Sequence, residues 1–337
     1  HSKTSNSIKL MSLDLPKSLA NLNELKDFSY EKMPMDNQIP KEIKIEREWT
    51  HPGEVNKLQF NQSLNLIATH SNSGDVLIYD INDSSLHTQK STLKFHAKEG
   101  FGLEWNPVTK NQLLTSAEDS KIALWDFNDK IPTKPTRSFT THESSVNDIA
   151  WNKHNQSLFL SVSDDSSYQL HDLRTTEGPI IHVTNAHHSE TGSDYPIACV
   201  DFNDKVSTLF ATGGSDGIIQ LWDLRNPTIP IRKLQHHTAG VLGLQFNENY
   251  LMSNGLDRRV MIWDLNKLEE GEVDKRKTDH IDPCLSFIHG GHTGKILSSD
   301  WHPTLNQLFI SCADDDLIEV WKPAHLGDEY VEEEEEE

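Results

Sequence analysis

The chain repeats one pattern six times, and this repetition constrains its fold more than any other feature. In five copies an apolar segment ends in an aromatic residue or a histidine followed by aspartate, and a sixth copy ends in Trp-Lys. The intervals between the first members of these dipeptides are 46, 46, 51, 41 and 58 residues. These intervals are near the repeat length of about 40–45 residues that is typical of one propeller blade of four strands. The dipeptides begin at Tyr79, Trp125, His171, Trp222, Trp263 and Trp321.

Other residues recur at fixed positions within each copy. An aspartate stands seven residues before the second member of the dipeptide in five copies, and Ser73 replaces it in the first copy. In most copies a histidine precedes the aromatic residue by about 29 positions. We expect these residues to share a buried hydrogen-bond chain with a strand serine or threonine, which makes them scaffold. The predicted blade anchors are His96, Asp119, Trp125, His142, Asp165, Asp216, Trp222, Asp257, Trp263, His292, Asp315 and Trp321.

The segments between these landmarks have the character of short β-strands. Runs such as VNKLQF, VNDIAW and IACVDF are rich in β-branched and aromatic residues. One blade cannot bury its faces alone, so copies are expected to stack around a channel and protect their edges. Over residues 42–323 the chain resembles the WD-repeat family, which implies an all-β propeller with six WD repeats in residues 51–323.

The number of blades is predicted to be seven. Residues 7–15 and 42–50 are typical of strands, so we assign residues 1–50 to a partial first blade whose other strands lie upstream of His1. The alternative is a six-bladed ring with a disordered leader. Residues 324–337 are expected to form a disordered acidic tail, because the repulsion between their glutamates opposes burial.

Charge and composition exclude several functions. The formal net charge is −21, a sign that repels phosphate backbones and attracts basic partners, so we expect no direct nucleic-acid binding. Three widely spaced cysteines without a CxxC pair favour a reducing compartment. No apolar run approaches the about 18–20 residues of a membrane helix, so we expect no membrane contact and a soluble intracellular protein.

Nothing in the sequence predicts catalysis, a cofactor or a metal. The histidine pairs His187-His188 and His236-His237, and the pair His289 and His292, fall at the anchor position of their repeats, which favours structural use over metal binding. The aspartates recur once per blade, as scaffold residues do. No phosphate-binding loop or nucleophile motif is present, so we expect a non-enzymatic protein.

Local strings narrow the resemblance to one subfamily. The chain is similar to the retinoblastoma-associated/MSI family of WD-repeat histone-binding proteins, in HPGEVNKLQF (51–60), STLKFHAKEGFGLEWNP (91–107), DRRVMIWDLNKL (257–268) and FIHGGHT (287–293). The resemblance implies a non-catalytic H3–H4 chaperone or scaffold, most nearly the histone-binding subunit of a type B histone acetyltransferase. It also implies an N-terminal helix, which would lie upstream of residue 1. The small subunit of a chromatin assembly factor and a centromere histone-loading scaffold are alternatives.

The resemblance also implies two histone-binding surfaces. A face near the channel would hold the H3 tail through Glu54, Asn56, Glu99, Phe101 and Lys295, although Asn147, Ala198, Gly240 and Leu242 depart from the family pattern. A groove at the side would hold an H4 helix. It would be formed by the N-terminal helix and by an insertion that contains Asp279, Asp282, Pro283, Leu285, Phe287 and Ile288.

One alternative belongs to another class of protein. The WDxR pattern at Trp222–Arg225, with a fainter copy at His171–Arg174, is also found in substrate receptors of cullin ubiquitin ligases. The pattern is short and arises readily in WD repeats, so it has low specificity. Our expectation is therefore a histone-binding subunit located in the nucleus and cytoplasm, with histones H3 and H4 and an acetyltransferase catalytic subunit, or other chromatin-complex subunits, as partners.

Overall fold

The protein is all-β in the part that the structure describes. The structure is a computed structural model, and it describes residues 6–13, 43–83, 87–189, 192–269, 282–305, 307–323 and 326. These residues form 25 strands, and their helical content is the single-turn 3-10 helix Leu265–Lys267. Within these ranges no helix is both long and apolar enough to cross a membrane.

The chain divides into two compact units, His1–Val200 and Asp201–Glu337, and each is described by itself. The first unit opens with a two-stranded sheet of β1 (Asn6–Ser12) and β2 (Lys44–His51). Three four-stranded antiparallel sheets follow in chain order. Their strands are β3 (Val55–Asn61), β4 (Leu66–Ser71), β5 (Val76–Asp80) and β6 (Ser91–Leu93); β7 (Gly100–Trp105), β8 (Gln112–Ala117), β9 (Ile122–Asp126) and β10 (Arg137–Phe139); and β11 (Val146–Trp151), β12 (Leu158–Ser163), β13 (Tyr168–Asp172) and β14 (Ile181–Val183).

The second unit begins inside strand β15 (Ile197–Phe202). The fourth sheet contains β15 to β18, the fifth contains β19 to β22, and the sixth has the three strands β23 to β25. The further strands are β16 (Leu209–Gly214), β17 (Ile218–Asp223) and β18 (Arg232–Gln235); β19 (Val241–Asn247), β20 (Tyr250–Gly255), β21 (Val260–Asp264) and β22 (Leu285–His289); and β23 (Ile296–Trp301), β24 (Phe309–Ala313) and β25 (Ile318–Trp321).

Burial explains which segments become the middle strands of each sheet. Every residue of β4 is buried, and β8 and β12 are buried except at their first residue. Strands covered on both faces carry nearly continuous apolar or hydrogen-bonded residues instead of a polar alternation. The fourth strands β6, β10 and β14 have only three residues each. Such short outer strands limit the unpaired edge that each sheet presents.

The recurring histidines and aspartates form a hydrogen-bonded chain with a strand hydroxyl in four of the six sheets. In the second sheet His96 Nδ1 lies 3.1 Å from the Asp119 carboxylate and Nε2 lies 2.8 Å from Thr115 Oγ1, to which Trp125 Nε1 donates at 3.1 Å. Burial raises the pKa of Asp119, but hydrogen bonds from His96 and the Ala97 N–H outweigh it, so the net shift is downward. The carboxylate therefore stays ionised and holds the histidine in place.

Equivalent chains fix the third, fifth and sixth sheets. The link from the histidine Nε2 to the strand serine measures 2.8 Å in each of them. In the third sheet His171 replaces the tryptophan, and its Nε2 lies 3.1 Å from Ser161 Oγ. Burial lowers the pKa of His171 to about 3, so this imidazole is neutral and serves as a polar replacement for an indole. The corresponding histidine, aspartate and serine contacts join His142, Asp165 and Ser161; His237, Asp257 and Ser253; and His292, Asp315 and Ser311.

The number of complete sheets corrects one prediction. The described residues form six blade-type sheets of three or four strands, whereas seven blades were expected. Residues 7–15 and 42–50 do supply strands, as β1 and β2, but these pair only with each other. The pair packs Ile8 and Trp49 against Ile67, Leu77 and Tyr79, so its apolar side belongs to the core of the first unit.

Candidate functional site

A β-bulge recurs at the start of the first strand in five sheets. The register of β3 with β4 skips one residue between Val55 and Lys57, and the same skip occurs in β7, β11, β19 and β23. A bulge leaves one residue without a ladder partner and turns its side chain out of the regular alternation. The bulge residues are Asn56, Phe101, Asn147, Leu242 and Leu297. The first two belong to the predicted H3-tail face.

In the first unit the bulges bring two predicted residues together. Asn56 Nδ2 donates to Glu99 Oε1 at 3.0 Å and to the Gly100 carbonyl oxygen at 3.0 Å, so it links the first sheet to the second. Glu54 is exposed, and Phe101 is half-buried. The Asn56 amide therefore holds the Glu99 carboxylate in place at the start of the second sheet.

Two exposed carboxylates in the same region were not predicted. The residue before each anchor aspartate donates its backbone N–H to the loop that precedes the first strand, as Glu118 does to the Glu99 carbonyl and Asp164 to the Ser145 carbonyl. This link places Glu118 and Asp164 beside the bulge residues. Asp164 also accepts from Asn147 Nδ2 at 2.7 Å. Their position next to an anchor aspartate was the signal that the sequence offered.

The resulting acidic edge of the first unit consists of Glu54, Glu99, Glu118 and Asp164, with Asn56, Asn147 and Phe101 among them. It offers four carboxylates, two amides and one aromatic side chain. Carboxylates bind arginine and lysine side chains through charge-assisted hydrogen bonds. The edge can therefore accept an extended basic peptide.

At the corresponding positions of the second unit, at the bulges and just before them, the side chains are less acidic. Lys295 Nζ lies 3.7 Å from Asp314 Oδ2, so Lys295 is paired within its own sheet. Leu242 and Leu297 occupy the bulges, and they are 36% and 56% exposed. Gly240 is buried, and Ala198 of the first unit is half-buried. Three of the four departures from the family pattern are therefore small or apolar side chains, and the fourth, Asn147, is the amide bonded to Asp164.

The predicted H4 groove is only partly described, and much of it is used by the fold. Asp279 lies outside the described residues. Asp282 accepts from Arg232 at 3.0 Å and from the Cys284 N–H at 2.9 Å, so its carboxylate is paired internally. Pro283 is half-buried between them. An incoming arginine would therefore have to share the Asp282 carboxylate with Arg232.

The apolar residues of the groove lie on strand β22. Phe287 stacks on Trp321 with ring centroids 5.7 Å apart and packs against the core of the sixth sheet. Leu285 is half-buried and pairs in register with Trp263. Ile288 is 39% exposed. Of the three predicted apolar anchors, Ile288 is therefore the one with most surface to offer a partner.

The two WDxR arginines fold back onto their own motifs. Arg225 Nε lies 3.0 Å from Asp223 Oδ1 and 2.9 Å from Oδ2, and Arg174 binds Asp172 in the same forked manner. The side chains of Arg174 and Arg225 are 69% and 78% exposed. The pattern thus has a local structural explanation in both copies.

One cluster of potential metal ligands occurs among the residues with described positions. The ligand atoms of His289, His292 and Glu319 all lie within 4.8 Å of one another. His292 is a blade anchor, whereas His289 and Glu319 have no counterpart of their kind in the other sheets. This cluster is considered further below.

Comparison with known proteins identifies the class of this fold. The family model described as the EIPR1 beta-propeller matches residues 34–263, and the model of the WD domain, G-beta repeat, matches residues 283–322. Together with the repeated His, Asp and Trp anchors, these matches define a WD-repeat β-propeller protein.

Whole-chain similarity then narrows the class to one family. The chain is 32% identical over 323 residues to the protein of Candida glabrata named Histone acetyltransferase type B subunit 2, over 94% of this chain and 74% of that protein. It is 28% identical over 333 residues to the Debaryomyces hansenii protein of the same name, over 94% and 76% of the two chains. The chain belongs to the histone acetyltransferase type B subunit 2 family.

Proposed function

We propose that this protein is the non-catalytic, histone-binding subunit of a type B histone acetyltransferase. The observation that carries the proposal is the 32% identity, over 94% of the chain, to a protein with that subunit name. The repeated sheets supply a binding platform, and the partner enzyme would carry out the acetyl transfer. The contribution of this chain to the reaction is binding energy and the orientation of the substrate.

The acidic edge of the first unit supports a basic histone segment as the ligand. Glu54, Glu99, Glu118 and Asp164 lie at the ends of three neighbouring sheets, and each can accept a lysine or arginine. A charge-assisted hydrogen bond contributes about 1.5–3 kcal/mol, so two or three of them suffice for a specific contact. We assign the H3 tail to this edge, with Phe101 as the apolar contact.

The H4 helix is assigned to the region of Ile288 and the insertion before β22. Ile288 is the exposed apolar residue of this strand, and the sequence of residues 270–281, which lie outside the described residues, carries charges of both signs. An amphipathic helix binds such a surface through apolar anchors spaced three and four residues apart. We further propose that the protein acts as a chaperone for H3–H4 in nucleus and cytoplasm, and that the tail of residues 328–337 screens histone charge before the specific contacts form.

One experiment tests the central proposal. The full-length protein is mixed with recombinant H3–H4 and with the acetyltransferase catalytic subunit of the same organism, and complexes are separated by size-exclusion chromatography at about 150 mM salt, where the Debye length is about 8 Å. We expect a ternary complex and faster acetylation of H4 than with the catalytic subunit alone. A chain that binds the catalytic subunit but not H3–H4 would contradict the histone-binding role.

A further inference from the structure

His289, His292 and Glu319 converge at one end of the sixth sheet. His289 Nε2 lies 2.7 Å from Glu319 Oε2, and His292 Nε2 lies 3.7 Å from the same oxygen. Zinc binds imidazole nitrogen and carboxylate oxygen at about 2.0–2.2 Å, which separates tetrahedral ligand atoms by about 3.3 Å. The distances from the two histidine nitrogens to Glu319 Oε2, 2.7 and 3.7 Å, lie on either side of this separation. Small side-chain movements would therefore give all three atoms a common metal ion.

The scaffold does not require this polar pair. Three residues before the anchor histidine, other sheets carry the buried apolar residues Leu93, Phe139 and Leu234. Two residues before the strand aromatic, where Glu319 stands, other sheets carry Leu77, Ala123, Gln169, Gln220 and Met261, all of them buried. A half-buried imidazole and carboxylate cost desolvation energy at positions where an uncharged residue is sufficient for the fold. The presence of His289 and Glu319 therefore indicates a function other than blade assembly.

The surroundings of the two histidines suit metal ligation. His292 Nδ1 lies 3.3 Å from Asp315 Oδ2, and a carboxylate on the far nitrogen is the usual outer partner of a metal-bound histidine. A hydrogen bond to the Asp315 carboxylate puts the proton on His292 Nδ1. Nε2 is then unprotonated, and its lone pair can coordinate a metal ion. The ring of His289 stacks on Trp321 with centroids 4.2 Å apart and planes 3° apart, which fixes its orientation.

Access to the cluster is provided by two glycines. Gly290 and Gly291 link the histidines and are exposed, and a Cβ atom on Gly291 would lie only 2.4 Å from Glu319 Oε2. Glu319 itself is 27% exposed in its side chain. A water molecule could thus complete a four-coordinate site from the solvent side.

We propose that His289, His292 and Glu319 form a binding site for a divalent transition metal ion of the zinc type. The ion joins β22 of the fifth sheet to β25 of the sixth. Binding exchanges the contact of His292 Nε2 with Ser311 Oγ, at 2.8 Å, for a coordinate bond, while Trp321 Nε1 continues to donate to Ser311. The site is structural in kind, and its occupancy links the stability of the sixth sheet to metal concentration.

The test uses tag-free, full-length protein treated with chelator and titrated with zinc chloride alone. We expect one equivalent of zinc to bind by isothermal calorimetry and the melting temperature to rise with zinc and fall with EDTA. Cobalt(II) in place of zinc should give visible absorption typical of a four-coordinate ion. His289→Phe, which introduces the residue found at the equivalent position 139, and Glu319→Gln should each weaken binding at least tenfold.

Two control variants distinguish this site from adventitious binding to other histidines and acids. His182→Gln alters an exposed residue of the third sheet, and Glu248→Gln alters an exposed residue of the turn between β19 and β20. Neither residue belongs to the cluster, so both variants should bind zinc as the unaltered protein does. Binding that persists unchanged in His289→Phe and Glu319→Gln would overturn the proposal. A second result would also overturn it: each substitution lowers the melting temperature by the same amount in zinc as in EDTA. The cluster would then stabilise the protein only as an ion pair.

Discussion

The Arg232 guanidinium donates to the Asp282 carboxylate at 3.0 Å and to the Leu268 carbonyl oxygen at 2.8 Å. The two charged side chains are only 7% and 12% exposed. Leu268 and Asp282 stand on either side of residues 270–281, so one arginine on β18 ties the two ends of the insertion together. The resemblance had assigned Asp282 to a histone groove, whereas the structure uses it to fix the base of that insertion.

Removal of Arg232 is expected to lower the free energy of unfolding substantially. Arg232→Ala leaves the Asp282 carboxylate buried without its partner, and breaking a buried ion pair costs about 3–5 kcal/mol. Urea unfolding followed by tryptophan fluorescence measures the change. Arg225→Ala is the matched control, because it removes an exposed ion pair that solvent screens and that contributes little to stability. Equal losses in the two variants would show that the Arg232 pair is not a buried anchor.

Glu99 provides a test of the acidic edge. Glu99→Gln keeps the hydrogen bond that Asn56 donates but removes the negative charge, so affinity for an H3 tail peptide should fall by about 10–100-fold, as expected for about 1.5–3 kcal/mol. Fluorescence anisotropy with a labelled tail peptide gives the dissociation constant, and binding of an H4 helix peptide should not change. Glu248→Gln, on an exposed residue paired with Lys205, serves as the control. An unchanged affinity for the tail would remove Glu99 from the site.

Phe287 and Ile288 are adjacent but should respond differently to substitution. Phe287→Ala removes a ring that stacks on Trp321, so we expect a loss of stability near the lower end of the about 3–5 kcal/mol typical of buried Phe→Ala changes. Ile288→Asp alters an exposed side chain and should weaken binding of the H4 helix peptide at little cost in stability. Thermal unfolding and calorimetric titration of both variants separate the two effects. A stable Phe287→Ala variant with weakened H4 binding would place Phe287 in the groove instead.

The scaffold was predictable because its residues recur. His96, Asp119 and Trp125 stand at spacings that other copies repeat, so one chemical explanation had to serve all of them. Contacts that occur once gave no such signal. Lys57 on β3 lies 3.5 Å from Asp148 on β11, and no spacing in the sequence relates two residues so far apart in the chain.

The candidate site was harder to predict for the same reason. The repeat placed Glu54 and Glu99 at equivalent points of two copies, and Asn56 and Phe101 at another. The β-bulges that turn out Asn56 and Phe101, however, depend on the pairing of β3 and β7 with their neighbours. Glu319 replaces an uncharged residue at a repeated position, and only the three-dimensional structure shows what it contacts. Departures from the repeat therefore identify candidate functional residues, but their partners come from the fold.

His70 is a buried histidine outside the anchor set. Its Nδ1 lies 3.0 Å from the Gly102 carbonyl oxygen, and its ring lies 5.2 Å from that of His96. A Cβ atom on Gly100 would lie 2.0 Å from its Nε2, so glycine at position 100 makes room for the ring. Burial, followed by the nearby His96, lowers the pKa of His70 to about 4.

This lowered pKa predicts how stability depends on pH. Between pH 6.5 and pH 4 the unfolded chain takes up a proton at position 70 and the folded protein does not, so stability is complete above pH 6.5 and falls as the pH approaches 4. Over this interval His70 lowers the free energy of unfolding by about 3 kcal/mol, since one pKa unit corresponds to about 1.4 kcal/mol. His70→Asn, whose amide can replace Nδ1–H as donor to Gly102, should flatten the pH dependence of the urea midpoint over this interval. The exposed His182→Asn should leave it unchanged, and identical pH slopes in both variants would mean that His70 does not titrate as a buried neutral group.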